Sequence, residues 1–222
     1  MRFAPVDLAL VGLLGANWAL AQEAMPAVRE PHHHTVYEDA RARILDIRIE
    51  PRERMLLHRH DTDYIWVDDA GVHFSRGGMT HAERNHELIV ELLQPQTDPR
   101  NVCAEILASE YLHCHEPGSE WIGADLEIQF ETDQTRIGIL RIAPTGTLAI
   151  PPADVPPLLI PLEGTEAEAI SRLNGSSPAS NSGRILQTVE VLRSPADHVT
   201  EVRNIGKTAA RFLVVEFGGA GE

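Results

Sequence analysis

Cysteine is nearly absent: 222 residues hold two, Cys103 and Cys114. Two are too few for a framework of several disulfides or a four-cysteine zinc site. Positive charge is scarce as well. Nineteen Lys and Arg stand against 33 Asp and Glu, a formal net charge of −14 with pI near 5.2. No basic patch offsets repulsion from phosphate, which excludes nucleic acid and anionic lipid as partners. No phosphate-binding loop, G-x-G-x-x-G, G-x-S-x-G or H-E-x-x-H is present. Beyond the N-terminus no stretch approaches the roughly 18 apolar residues that a membrane span needs.

What is there is an ordinary globular composition, 43% hydrophobic and 23% charged, enough for one large or two small domains. Arg2, the apolar run Leu8 to Ala16 and Ala19-Leu20-Ala21 follow the plan of a secretory signal peptide over residues 1–21. A membrane anchor is the alternative. A cleaved chain would begin near Gln22 and work in the periplasm or outside the cell, off the membrane. In that oxidising setting Cys103 and Cys114 most simply form one disulfide, worth about 2–3 kcal/mol. Metal binding competes, because "YLHCHEP" sets His113 and His115 beside Cys114. Residues 22–35, with "PHHHT", read as a flexible, solvated segment.

From residue 36 the pattern is β. In "RILDIRIEP" (43–51) Leu45, Ile47 and Ile49 share one face, and Asp46, Arg48 and Glu50 the other. "RFLVVEF" (211–217) is a second strand. "GTEAEAISRL" (164–173) reads as a short helix. Frequent Pro and Gly between short strands point to a sandwich or barrel.

The chain also repeats itself. "RILDIRIEPRERMLLHRHDTDYIWVDDAG" (43–71) aligns without gaps to "RIGILRIAPTGTLAIPPADVPPLLIPLEG" (136–164), and Arg84-Asn85 matches Arg203-Asn204. Two copies of one β module follow. His58 and His60 stand opposite Pro151 and Ala153, and His81 opposite Thr200, so the second copy lacks the first copy's imidazoles. From Gly71 to Asn85 the first copy spans 14 positions, against 40 from Gly164 to Asn204. The first copy is therefore trimmed, in a place where a hairpin would wall a pocket.

"LLHRHDTDYIWV" (56–67) places His58 and His60 on one side of a strand. "GGMTHAERN" (77–85) adds His81 within G-x-x-H-x-x-x-N. These two motifs, in this order and inside a tandem β repeat, resemble the cupin superfamily, and most of all secreted bacterial cupin-domain proteins of undefined activity. The resemblance covers roughly residues 36–93 and 130–218. It implies two jelly-roll β-barrel modules, over 36–95 and 131–218, joined by a linker at 96–130 that carries the cysteine pair. It also implies His58, His60 and His81 as ligands of one divalent transition metal (Fe, Mn, Zn, Ni or Cu). The glutamate that usually follows the histidine pair is missing, and Tyr64 or Ile65 fills its slot. Asp63, Tyr64, Trp66 and Asn85 are candidate pocket residues. Glu83 and Glu91 read as surface or strand-end residues. Two functions fit: an exported metal-dependent enzyme, of oxygenase type, acting on a small organic molecule, or a non-catalytic bicupin binding a small ligand or metal. A homodimer is compatible with either.

Overall fold

The structure is a computed structural model that describes residues 24–68, 71–83, 86–97, 101–102, 125–173 and 183–218. Residues 1–21, expected to be a signal peptide, Cys103, Cys114, Asn85 and the "YLHCHEP" run lie outside the described residues. The first half contains β1 (Met25–Pro26), a 3-10 turn (Ala27–Arg29), β2 (His33–Glu38), β3 (Ala42–Ile47), β4 (His58–Arg59), β5 (Tyr64–Asp68), β6 (Gly71–Ser75), β7 (Thr80–His81) and β8 (Glu87–Leu92). The second contains β9 (Asn101–Val102), β10 (Asp125–Glu131), β11 (Thr135–Ile142), β12 (Thr147–Ile150), β13 (Leu158–Pro161), β14 (Ala167–Leu173), β15 (Arg184–Ile185), β16 (Leu192–Arg193), β17 (His198–Asn204) and β18 (Ala210–Phe217). The fold is all-β, and no helix among the described residues is long and apolar enough to cross a membrane.

The sequence repeat is a structural repeat. The first half forms a sheet ordered β2-β3-β8-β5-β6, and the second forms β16-β13-β18-β11-β10-β9. The run β2-β3-β8-β5 thus recurs as β10-β11-β18-β13. Each half closes with a smaller sheet, β1-β4-β7 in the first and β12-β17-β14-β15 in the second. The trimming predicted for the first copy is visible here. In the second copy β14 pairs with β17 along seven residues, whereas β7 is a sheet edge among the described residues.

Strand alternation sorts the side chains into three cores. Ile44, Ile65 and Val90 face away from the first module's interior and pack with Phe130, Ile137, Leu213 and Val215 of the second. The two large sheets therefore share one apolar layer, in which Phe74 stacks on Phe130 at 4.9 Å. The second module's own interior holds a large apolar cluster, filled by Leu140, Ile142, Leu148, Val202 and Phe212 among others. The first module's interior holds a smaller cluster, Leu45, Ile47, Met55, Tyr64 and Ile89. Polar groups fill the rest of that space.

Two expectations fail. Residues 164–173 are not helical, because Ala167–Leu173 is strand β14. Alanines at alternating buried positions match helix propensity locally, but the ladder to β17 decides. The "PHHHT" segment is not a solvated tail either. It enters β2, and His33 is only 8% exposed. Buried Glu30 fastens the approach, accepting backbone N–H groups of His32 at 2.6 Å and Leu56 at 3.1 Å.

Candidate metal centre

His58 sits on β4, short and flanked by β1 on one side and β7 on the other, and His60 follows the end of that strand. Met25 pairs with His58, and His58 pairs with His81 directly across the β4–β7 ladder. The glycines of the second motif make this possible. Gly78 takes φ of +91° and donates its N–H to the His60 carbonyl at 2.7 Å. A side chain on Gly77 would meet the Thr62 carbonyl carbon at 2.7 Å. The Gly-Gly turn therefore folds β7 back onto β4.

Four imidazoles gather around one carboxylate. Donor atoms of His33, His58, His60 and Glu83 all lie within 4.8 Å of one another. From Glu83 the nearest Nε2 atoms are those of His81 at 2.7 Å, His58 at 3.3 Å, and His33 and His60 at 3.9 Å each. Side chains of His33, His58 and His60 are fully buried, Glu83 nearly so, and His81 is 28% exposed.

The outer partners fix which nitrogen faces inward. His58 Nδ1 lies 3.0 Å from the Leu56 carbonyl oxygen. A carbonyl only accepts, so Nδ1 carries the proton and Nε2 a lone pair. His60 Nδ1 lies 2.8 Å from Glu91 Oε1, while Glu91 Oε2 accepts from Arg43 at 2.6 Å. That ion pair keeps Glu91 ionised and an acceptor, and His60 Nε2 again presents a lone pair. His81 Nδ1 is held by the Tyr64 hydroxyl at 2.9 Å, and the Tyr64 ring stacks on His60 at 4.2 Å.

The Nε2 lone pairs of His58 and His60 thus aim at a carboxylate. The Nε2 atoms of His33, His58, His60 and His81, and Glu83 Oε2, are buried with no hydrogen-bond partner. Acceptors facing acceptors in a dry site repel unless a cation stands between them. Burial alone would raise the Glu83 pKa, yet the surrounding imidazoles hold its carboxyl far below the usual carboxylate range. Burial disfavours the charged form of His60, but Glu83 and Glu91 outweigh it and raise its pKa, so a proton competes with a metal ion for its Nε2. At His33 burial prevails and keeps the ring neutral. Three imidazoles and a carboxylate, with outer hydrogen bonds orienting two of the rings, fit a first-row transition ion. Magnesium or calcium would demand oxygen ligands instead.

The structure brings the rings of His58, His60 and His81 together and adds His33, Glu83 and Glu91. The sequence pattern places His33 in a solvated segment and Glu83 and Glu91 at the surface or at strand ends; Glu91 does stand next to the end of β8, but buried. Glu83 stands two positions after His81, the spacing that keeps side chains on one side of an extended chain, and that was the available signal. Asp63 does not join the pocket. Its carboxylate accepts from Arg76 at 2.6 Å and from the Gly77 N–H at 3.0 Å. Tyr64 touches the cluster, while Trp66 stacks on His73 at 4.8 Å beside it. In the second copy Thr200 occupies the His81 position and hydrogen-bonds to Ser194 at 2.8 Å, among apolar neighbours.

No family model matches the chain, and no curated protein does. Solved structures do. The chain is similar to a cupin domain from Bordetella pertussis Tohama I, at 16% identity and TM-score 0.34, over 46% of this chain and 100% of that one. It is similar to an oxalate oxidase at 22% identity and TM-score 0.34, over 44% and 51%. It is similar to an oxalate decarboxylase at 14% identity and TM-score 0.46, over 86% and 73%.

Proposed function

We propose that this chain is a metal-binding bicupin whose first module holds one divalent transition ion and whose second module is a structural partner. The observation that carries the reading is the convergence of acceptor atoms. The inward lone pairs of His58 and His60 face the Glu83 carboxylate in a buried space. A third imidazole completes the set. A bound ion there would supply a Lewis acid, or a redox centre if it is Fe, Mn or Cu. The chain's own groups do the rest. Arg43 and Glu91 lock the His60 tautomer, the Leu56 carbonyl locks His58, and Tyr64 steadies His81. Trp66 and His73 offer a flat surface beside the cluster for a small organic molecule.

The reading extends to an exported, oxygenase-type enzyme, with residues 1–21 as the leader. Catalysis is favoured over passive metal holding by the β7 edge, beyond which no strand lies among the described residues. Elemental analysis of untagged protein tests the core of the proposal. The expected result is about one equivalent of transition metal, lost in His58→Ala/His60→Ala. A folded wild-type protein that takes up no metal on reconstitution refutes it. Oxygen uptake with small organic acids then separates enzyme from binding protein, and the N-terminal residue of the mature protein tests export.

A further inference from the structure

The motif resemblance assigns the third imidazole to His81. The distances argue otherwise. Two ligands of one ion, each bonded at about 2.0–2.2 Å, stand roughly 3 Å apart at a right angle and farther at wider angles. His58, His60 and His33 keep 3.3, 3.9 and 3.9 Å from Glu83, which is ligand-to-ligand spacing. His81 Nε2 stands 2.7 Å from Glu83 Oε1, shorter than the right-angle spacing and at the distance of a charge-assisted hydrogen bond. The group of mutually close donors contains His33 and not His81.

Burial and partners agree with the distances. The His33 side chain is fully buried, and neither of its ring nitrogens has a hydrogen-bond partner. A buried imidazole so placed is costly unless one nitrogen binds a cation. His33 is delivered by an approach that Glu30 fastens to the backbone of Leu56, two residues before His58. His81 sits on the β7 edge, partly exposed, with Nδ1 against the Tyr64 hydroxyl. If Tyr64 donates to Nδ1, His81 Nε2 carries the proton, and a small ring rotation aims it at Glu83.

We propose that His33 and His81 have exchanged roles: His33 is the third imidazole ligand beside His58, His60 and Glu83, and His81 is a positioning residue that holds Glu83 from the solvent side. This rests on the metal-binding reading above. It makes His81, rather than a ligand, the group nearest to an incoming substrate.

The test counts nitrogen donors on the Cu(II)-loaded protein by pulsed electron paramagnetic resonance, in wild type, His33→Gln and His81→Gln. The expected counts are three, two and three. Metal stoichiometry should stay at one in His81→Gln, with affinity down by no more than about 100-fold, the usual cost of losing an outer partner. Counts of three, three and two overturn the proposal. So does a count of four in wild type that drops to three in both variants, since both rings are then ligands. If His33→Gln does not fold by circular dichroism, His81→Gln decides alone: three nitrogens support the exchange and a loss of one refutes it. A wild-type protein that binds no copper removes the metal reading and this inference with it.

Discussion

Glu91→Ala isolates the outer support of the centre. Glu91 touches no ion in the proposed set. It accepts the His60 Nδ1 proton at 2.8 Å and pairs with Arg43 at 2.6 Å, with its side chain 3% exposed. Removing it leaves the His60 Nδ1–H orphaned and the ring free to change tautomer. Loss of such a partner weakens metal binding by about 10- to 100-fold. At free metal near 1,000 times the wild-type Kd, binding stabilises wild type by about 4 kcal/mol, which is about 8–16 °C in Tm for a chain of this size. The variant at the same metal concentration retains about 1.4–2.7 kcal/mol, or about 3–11 °C. Differential scanning fluorimetry with and without metal reads both shifts. Glu38→Ala is the control, because Glu38 binds the same Arg43 without touching His60. Its metal-dependent shift should equal that of wild type. An unchanged metal shift in Glu91→Ala, with the variant folded, would falsify the claim that Glu91 fixes the His60 tautomer.

Three further outcomes follow from other parts of the molecule. Phe130→Ala empties the layer shared by the two modules and should cost about 3–5 kcal/mol, while calorimetry still shows a single transition; separate melting of two halves would count against a common core. Asn204→Ala should cost about 2–4 kcal/mol in urea denaturation, because the buried amide donates to carbonyls of Ile142 at 2.8 Å, Ala143 at 3.1 Å and Thr208 at 2.8 Å and accepts from the Gly206 N–H at 2.8 Å. A near-neutral result would strip the motif asparagine of its structural role in this copy. Burial, with the Glu83 and Asp68 charges adding, pushes the Glu87 carboxyl up to about 7. A folded-state pKa above the unfolded value means that the contribution of Glu87 is most favourable below about pH 4.5 and is lost as pH rises through about 7. Screened by solvent, the loss should be about 1–2 kcal/mol, and Glu87→Gln should recover it at pH 8 but not at pH 4.5, read by urea denaturation of chelator-treated protein.

The sequence by itself determined the class of fold and its duplication. A two-residue period in 43–49 fixes which side chains face which layer, and Leu45 and Ile47 do enter the first module's interior while Ile44 enters the shared layer. The gapless alignment carries the strand order from one half to the other. Locally encoded chemistry was legible too: two histidines two positions apart at the end of one short strand, and a Gly-Gly turn that returns a third beside them. Tertiary structure alone decided the rest of the centre. Glu91 meets His60 across 31 positions and Arg43 across 48, and no period in the chain signals such a meeting. His33 lay in a polar, histidine-rich stretch whose composition reads as solvated. It is buried because the chain before it is fastened at Glu30 and because β2 pairs with β3. The alanines of 167 and 169 read as helix until β17 supplied a ladder. Periodicity records which face a residue takes, whereas the identity of the partners on that face depends on which distant strands the closed sheets bring together.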